Sequence, residues 1–183
     1  MGAGNALFFL VNVLFDLAMG AFLLRVLLQL TKADFYNPLS QLVWKVTNPP
    51  TQPLRPLLPR YRNLDSAALL VLYVLAVIYV ALIGSWLGAG ISPLAVLWFA
   101  LLKGVVLVIN LYTLSLFVQA ILSWMGPGVN NPTANILYSL NEPLLRPVRR
   151  FVPLLGGLDL SPLVVMLALQ VLIRLVPLPL LFR

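Results

Sequence analysis

The sequence predicts an all-α membrane protein with four transmembrane helices as two parallel tandem repeats, each carrying short amphipathic interfacial helices between its spans. Three observations predict it: the composition, four long apolar runs, and a set of polar anchors that recurs at one spacing. Hydrophobic residues fill 61% of the 183 positions, charged residues only 9%, and mean hydropathy is +1.00. A soluble domain of this length needs more polar surface for its exterior. Backbone groups crossing hydrocarbon must be paired inside their own segment, so the apolar runs imply helices.

Residues 6–31 form the first span, ending at Thr31-Lys32. The first twenty residues contain no Lys or Arg, so the positive n-region of a cleaved signal peptide is missing and 1–31 reads as a retained span. The second span covers 66–88, from Asp65-Ser66 to Gly84-Ser85-Trp86-Leu87-Gly88. The third apolar run, 94–125, exceeds the roughly 21 residues that cross about 30 Å of hydrocarbon. Trp98 and Lys103 are expected at its interfacial entry, leaving about 103–125 as the span. The fourth covers about 161–176, where Pro177 and Pro179 end it and leave the tail at the membrane boundary.

Between these spans lie residues 32–65 and 126–160, both rich in Pro, Arg and Leu. Asn37 and Asn131 each precede a Pro and an amphipathic stretch, a helix-starting pattern. Leu39, Leu42, Val43 and Val46 have helical spacing, as do Ile136, Leu137 and Leu140, and an interfacial position would bury such faces. Asn48-Pro49-Pro50 and Glu142-Pro143 are expected to stop these helices, with a shorter helix after each. Arg146, Arg149 and Arg150 then share one face.

Lys32, Lys45, Arg55, Arg60 and Arg62 lie in the first segment and Arg146, Arg149 and Arg150 in the second, whereas Ala89–Pro93 carries no base. The positive-inside rule therefore places both basic segments in the cytoplasm and both termini outside, with only Arg183 opposed. The formal charge of +7 then belongs to topology and to anionic lipid, not to nucleic acid. Arg55, Arg60, Arg62, Arg146, Arg149 and Arg150 are the candidates for engaging lipid headgroups or partner proteins; a topology signal without a ligand is the plainer reading.

Asn37-Pro38 and Asn131-Pro132 stand 94 residues apart, as do Leu64-Asp65 and Leu158-Asp159, and Arg25 overlays Gln119 at that spacing. Asn48-Pro49-Pro50 is paired with Asn141-Glu142-Pro143 and Leu54-Arg55-Pro56 with Leu145-Arg146-Pro147, a register slip of two or three residues. The halves are 1–93 and 94–183, and an even number of crossings in each gives them one orientation. Asp65, Asp159 and Ser161 are candidate caps for spans two and four. Arg25, about five residues inside span one, is too deep to be left unpaired, and Asp65 or Asp159 would suit it.

Asn12, Asp16 and Gly20 form a stripe on span one, and Asp16 has Asn110 as its repeat mate. Inter-helix hydrogen bonding is one account of this polar site and a proton or cation site, with Arg174 as counter-ion, is the other. Gly84 and Gly88 make a GxxxG face suited to internal packing or dimerisation. No Cys or His is present, which excludes disulfides, thiolate and imidazole chemistry and the usual zinc or haem ligands, so no cofactor and no catalytic constellation is expected.

Phe35-Tyr36-Asn37-Pro38-Leu39-Ser40-Gln41, Pro53-Leu54-Arg55-Pro56 and Leu64-Asp65-Ser66-Ala67 resemble the YggT (YlmG-like) family. So do Glu142-Pro143-Leu144-Leu145-Arg146-Pro147-Val148-Arg149-Arg150 and Gly156-Gly157-Leu158-Asp159-Leu160-Ser161-Pro162, as the second of two tandem copies. The resemblance implies a non-enzymatic protein of the bacterial inner membrane; the outer side, where the charge distribution places both termini, is then the periplasm. It also implies links to osmotic-stress tolerance, cell division and, in plastids, membrane organisation and cytochrome maturation. Two functions follow as expectations. One is a membrane-organising or assembly factor whose basic segments meet anionic lipid or protein partners, a second copy of the chain among them. The alternative is an oligomeric ion channel or transporter component using Asp16 and Asn110.

Overall fold

A computed structural model describes residues 2–59, 64–124, 132–152 and 159–183. Among them every regular element is helical: α1 (Gly2–Leu30), α2 (Pro38–Thr51), α3 (Ser66–Trp86), α4 (Pro93–Trp124), α5 (Pro132–Val148) and α6 (Ser161–Leu175). Single 3₁₀ turns follow α2 at Gln52–Leu54 and close the chain at Leu180–Phe182. Helices α1, α3 and α4 are long and apolar enough to cross a membrane. At 15 residues α6 covers about 22 Å, below the usual spanning length. It does not meet that criterion, although the sequence predicts a fourth span there.

The core is built from the tall helices. Met19, Phe22 and Leu23 of α1 meet Ala68, Ala76, Tyr79 and Ile83 of α3 and Ala100 and Val106 of α4. A second cluster joins α4, α5 and α6 through Ile109, Leu116, Leu145, Val165 and Leu169. Outward faces keep Leu7, Phe9, Leu14 and Leu17 of α1 exposed, as an apolar solvent permits. Helices α2 and α5 lie where α1 and α4 end and α3 and α6 begin, and they touch one another there. That end of the bundle, here the basic end, gathers Arg25, Arg55, Arg146, Arg149 and Arg150.

Two expectations are corrected. Prolines do not stop α2 or α5: α2 runs through Pro49 and Pro50 to Thr51, and α5 is one helix containing Pro143 and Pro147. Each proline lies on an exposed face. The carbonyls deprived of partners by Pro49 and Pro50, those of Lys45 and Val46, therefore also face outward, where headgroups or water can satisfy them. Lys103 is not interfacial; it is buried among α1, α3 and α4. Beyond α6, Val176 is extended and the tail packs at the end of the bundle away from α2 and α5, with Phe182 buried against Phe99 and ring centroids 5.8 Å apart.

Phe182 also accounts for half of the GxxxG pair. A Cβ on Gly84 would meet Ile91 at 2.7 Å and Phe182 at 4.0 Å, so Gly84 serves packing within the chain. Gly88 instead supplies the left-handed residue (φ +63°) that ends α3, with Ala89 N–H donating to the Gly84 carbonyl at 2.9 Å.

Candidate functional site: the polar ties at the basic end and inside the bundle

Arg25 is 4% exposed and joins three elements. Its Nη1 donates to Thr47 Oγ1 of α2 at 2.9 Å and its Nη2 to Asp65 Oδ2 at 2.7 Å. Asp65 is shared, because Arg55 Nη2 lies 3.3 Å from the same oxygen. The backbone N–H of Asp65 donates to Gln29 Oε1 at 3.0 Å, which pins the start of α3 to α1 a second time. Asp65 makes no side-chain cap on α3, contrary to the capping expectation. Its carboxylate is occupied by two guanidinium groups, while its carbonyl accepts from Ala68 and Leu69.

The second half of the chain holds the same positions with different chemistry. Gln119, 94 residues after Arg25, accepts from Asn141 Nδ2 at 2.7 Å, and Asn141 lies 94 residues after Thr47. Asn141 is fully buried and accepts in turn from Ser115 Oγ at 2.6 Å. Arg149 Nε donates to Asp159 Oδ2 at 2.9 Å, as Arg55 does to Asp65, and both steps are ten residues long. The contacts thus pair Thr47 with Asn141 and Arg55 with Arg149. The slipped register, Asn48 with Asn141 and Arg55 with Arg146, is therefore corrected. What recurs is the reach of each side chain, which the Pro-based alignment did not follow.

Asp159 Oδ1 accepts the Ser161 N–H at 2.9 Å, just before α6. Burial raises the Asp159 pKa, but the bonds from Ser161 and Arg149 outweigh it and hold the carboxyl below its ordinary value. Arg149 also reaches Glu142 at 3.0 Å. Arg146 and Arg150 are exposed and enter no ion pair among the described residues. Ser161 is fully buried. Asn37 caps α2, its side chain accepting from Leu39 N–H at 3.0 Å. Arg60, Arg62 and Asn131, expected among the site residues, lie outside the described residues.

Midway along the bundle is a pair that no repeat spacing signals. Lys103 Nζ stands 2.8 Å from Asp16 Oδ1 and 4.6 Å from the centre of the Tyr79 ring. Tyr79 donates to Asn12 Oδ1 at 2.7 Å, and Asn12 Nδ2 donates to the Phe8 carbonyl. Arg174 is thus not the counter-ion of Asp16; Lys103 is. Its partner was not found from sequence because Lys103 pairs with a residue outside its own half. Asn110 does not join this network. With Asp16 it lines a cavity of about 540 Å³ between α1, α4, α2 and α5 whose other walls are almost all aliphatic. At the far end Arg183 donates to the carbonyls of Leu178 and Val176, so its charge belongs to the folded tail. No group of residues able to hold a metal ion occurs among the described residues.

The sequence pattern of the CCB3/YggT family matches residues 4–86 and again 90–181. The chain belongs to this family. Among relatives, the YggT protein of Escherichia coli (strain K12) is 39% identical over 171 residues, covering 91% of this chain and 87% of that protein. A Vibrio alginolyticus protein described by its place in the proC 3'region is 40% identical over 168 residues, 91% of this chain and 90% of its own. The chloroplastic YlmG homolog protein 2 of Arabidopsis thaliana is 38% identical over 68 residues, 37% of this chain and 27% of that protein. No solved structure matches. Two family matches in one chain agree with the doubled Arg–Asp contacts, and no enzyme family is indicated.

Proposed function

We propose that this family member is a non-enzymatic membrane-organising or assembly factor of the bacterial inner membrane. In this reading the chain is two copies of one unit, 1–93 and 94–183, with four crossings and α2 and α5 on the cytoplasmic leaflet. Supporting it, Arg55 is tied to Asp65 and Arg149 to Asp159, while Arg146 and Arg150 remain outward. The observation that carries the proposal is this division of labour on α5. Ile136, Leu140 and Leu145 are buried, Arg146 projects from the opposite face, and Arg150 is exposed in the turn that follows the helix. Each exposed base near anionic lipid contributes on the order of 1 kcal/mol, and a protein partner with an acidic surface would meet the same face.

The test is full-length protein reconstituted in vesicles of phosphatidylcholine with spin-labelled phosphatidylglycerol. A salt-sensitive preference for the anionic lipid is expected, and it should fall in Arg146→Gln/Arg150→Gln. A preference that ignores both salt and the substitutions would overturn the electrostatic part. Crosslinking in native membranes with mass spectrometry then identifies partners, including a second copy. The osmotic-stress and cell-division links enter as the settings in which a deletion strain is to be scored. The ion-handling alternative has Asp16 and Asn110 on one cavity in its favour. The Lys103–Asp16 pair favours a fixed tie instead, since the carboxylate is already neutralised. Ion flux into liposomes that vanishes in Asp16→Leu would reverse that judgement.

A further inference from the structure

We infer that the cavity beside the end of α1 binds the phosphate of one anionic phospholipid headgroup; this rests on the reading that the basic end meets the lipid surface. The cavity measures about 340 Å³, and its polar wall is Arg25, Gln29, Lys32 and Ser40, whose hydroxyl already donates to the Asp34 carbonyl at 2.8 Å. Arg25 is buried, and with Nη1 and Nη2 engaged its Nε–H has no acceptor among the described residues. A buried donor of a charged group is costly to leave unpaired. Asp65 faces both Arg25 and Arg55, so two positive charges share one carboxylate. The Gln29 oxygen already accepts from Asp65, so Gln29 offers a ligand its amide donor. The other nearby carboxylate, Asp34, accepts the Tyr36 N–H and is not in the cavity wall.

Lys32 supplies the second observation. It is the one non-glycine residue with positive φ (52°) among the described residues, and it closes α1 with the Ala33 N–H donating to the Leu28 carbonyl at 3.0 Å. Gly88 performs the same task on α3, where no strain arises. A lysine held in a conformation that favours glycine, with its charge at a cavity mouth beside a buried guanidinium, fits a structural cost accepted for a ligand. The ligand is an oxyanion, since, among the described residues, the polar hydrogens left without a partner on this wall, those of Arg25 Nε, the Gln29 amide and Lys32, all donate and two of these three groups belong to cations. It is amphiphilic, because Phe35 and Trp44, edge to face at 6.1 Å, and Leu28 and Val43 form the rest. The depth agrees: Arg25 lies five residues, about 7.5 Å, inside the end of α1.

Native mass spectrometry of the full-length protein in detergent tests this, with phosphatidylglycerol, phosphatidylcholine or inorganic phosphate added. One phosphatidylglycerol per chain should be retained through a high-salt wash. Retention should fall at least about tenfold in Lys32→Gly, which removes the charge while relaxing the backbone, and in Trp44→Ala. Arg146→Gln/Arg150→Gln should leave it unchanged, which separates this site from the exposed bases of α5. Equal retention of phosphatidylcholine, or wild-type retention in Lys32→Gly, overturns the inference. Displacement of the lipid by inorganic phosphate at millimolar concentration would reassign the site to a soluble phosphate.

Discussion

Arg25 sits at a depth where an unpaired guanidinium is costly, and its neighbours determine how substitutions there are felt. Removing Asp65 leaves Arg25 and Arg55 facing each other without a counter-charge, whereas removing Arg25 leaves Asp65 with Arg55. Asp65→Asn is therefore expected to cost about 3–5 kcal/mol, as for a broken buried pair, and Arg25→Leu less. The double variant should recover part of the loss. Denaturation in mixed micelles measures all three, and strictly additive losses would mean the pair is uncoupled. Asp159 gives a pH-dependent counterpart. Its folded pKa is lowered, so its tie to Arg149 stabilises above the ordinary carboxylate pKa and is lost as pH falls through the lowered folded value. Acidification below about pH 4 should loosen the start of α6, read by proteolysis after residue 150, and Asp159→Asn should abolish the pH dependence of that cleavage.

At the scale of elements, the long helices were legible because an apolar run of sufficient length leaves the backbone no other arrangement. The amphipathic faces of α2 and α5 were legible from spacing alone. Their extents were not, because a helix tolerates a proline more readily where the freed carbonyl reaches water or headgroups, and exposure at Pro49, Pro50, Pro143 and Pro147 is a property of the folded chain. Arg25 and Asp65 could be anticipated from depth and charge. Lys103 could not, since a lysine ten residues into a long apolar run reads equally as an interfacial anchor. Asn141 was likewise masked by its neighbour Pro143, although it is the residue that ties α5 to α4. Asn141→Leu strands the Gln119 carbonyl in an apolar interface, while the Ser115 hydroxyl falls back on the Tyr112 carbonyl. It should destabilise the protein by about 1–3 kcal/mol. Asn48→Leu should do much less, because Thr47, not Asn48, holds the equivalent place. Equal effects of the two would return the slipped register.

For the whole molecule, the open question is whether α6 carries the chain across. Fifteen residues give about 22 Å, yet the bundle offers a route for the remainder. Leu178 and Phe182 are buried after α6, and Phe182 lies against Phe99 and within 4.0 Å of a Cβ placed on Gly84, at the end of α3 far from α2 and α5. The tail thus completes a path between the two ends of the bundle, and in the proposed four-crossing arrangement local bilayer thinning would accommodate the shortfall at modest cost. The natural sequence has no Cys, so single cysteines can be placed without background. Leu57, Phe151 and Leu180 are all highly exposed, and Gly90 lies in the turn between α3 and α4. Cysteines at 57 and 151 should react with a membrane-impermeant maleimide only from the cytoplasmic side, and those at 90 and 180 only from the other. Labelling of 180 together with 151 would leave three crossings, and labelling of 57 and 151 from opposite faces would remove the shared leaflet on which the proposed function depends.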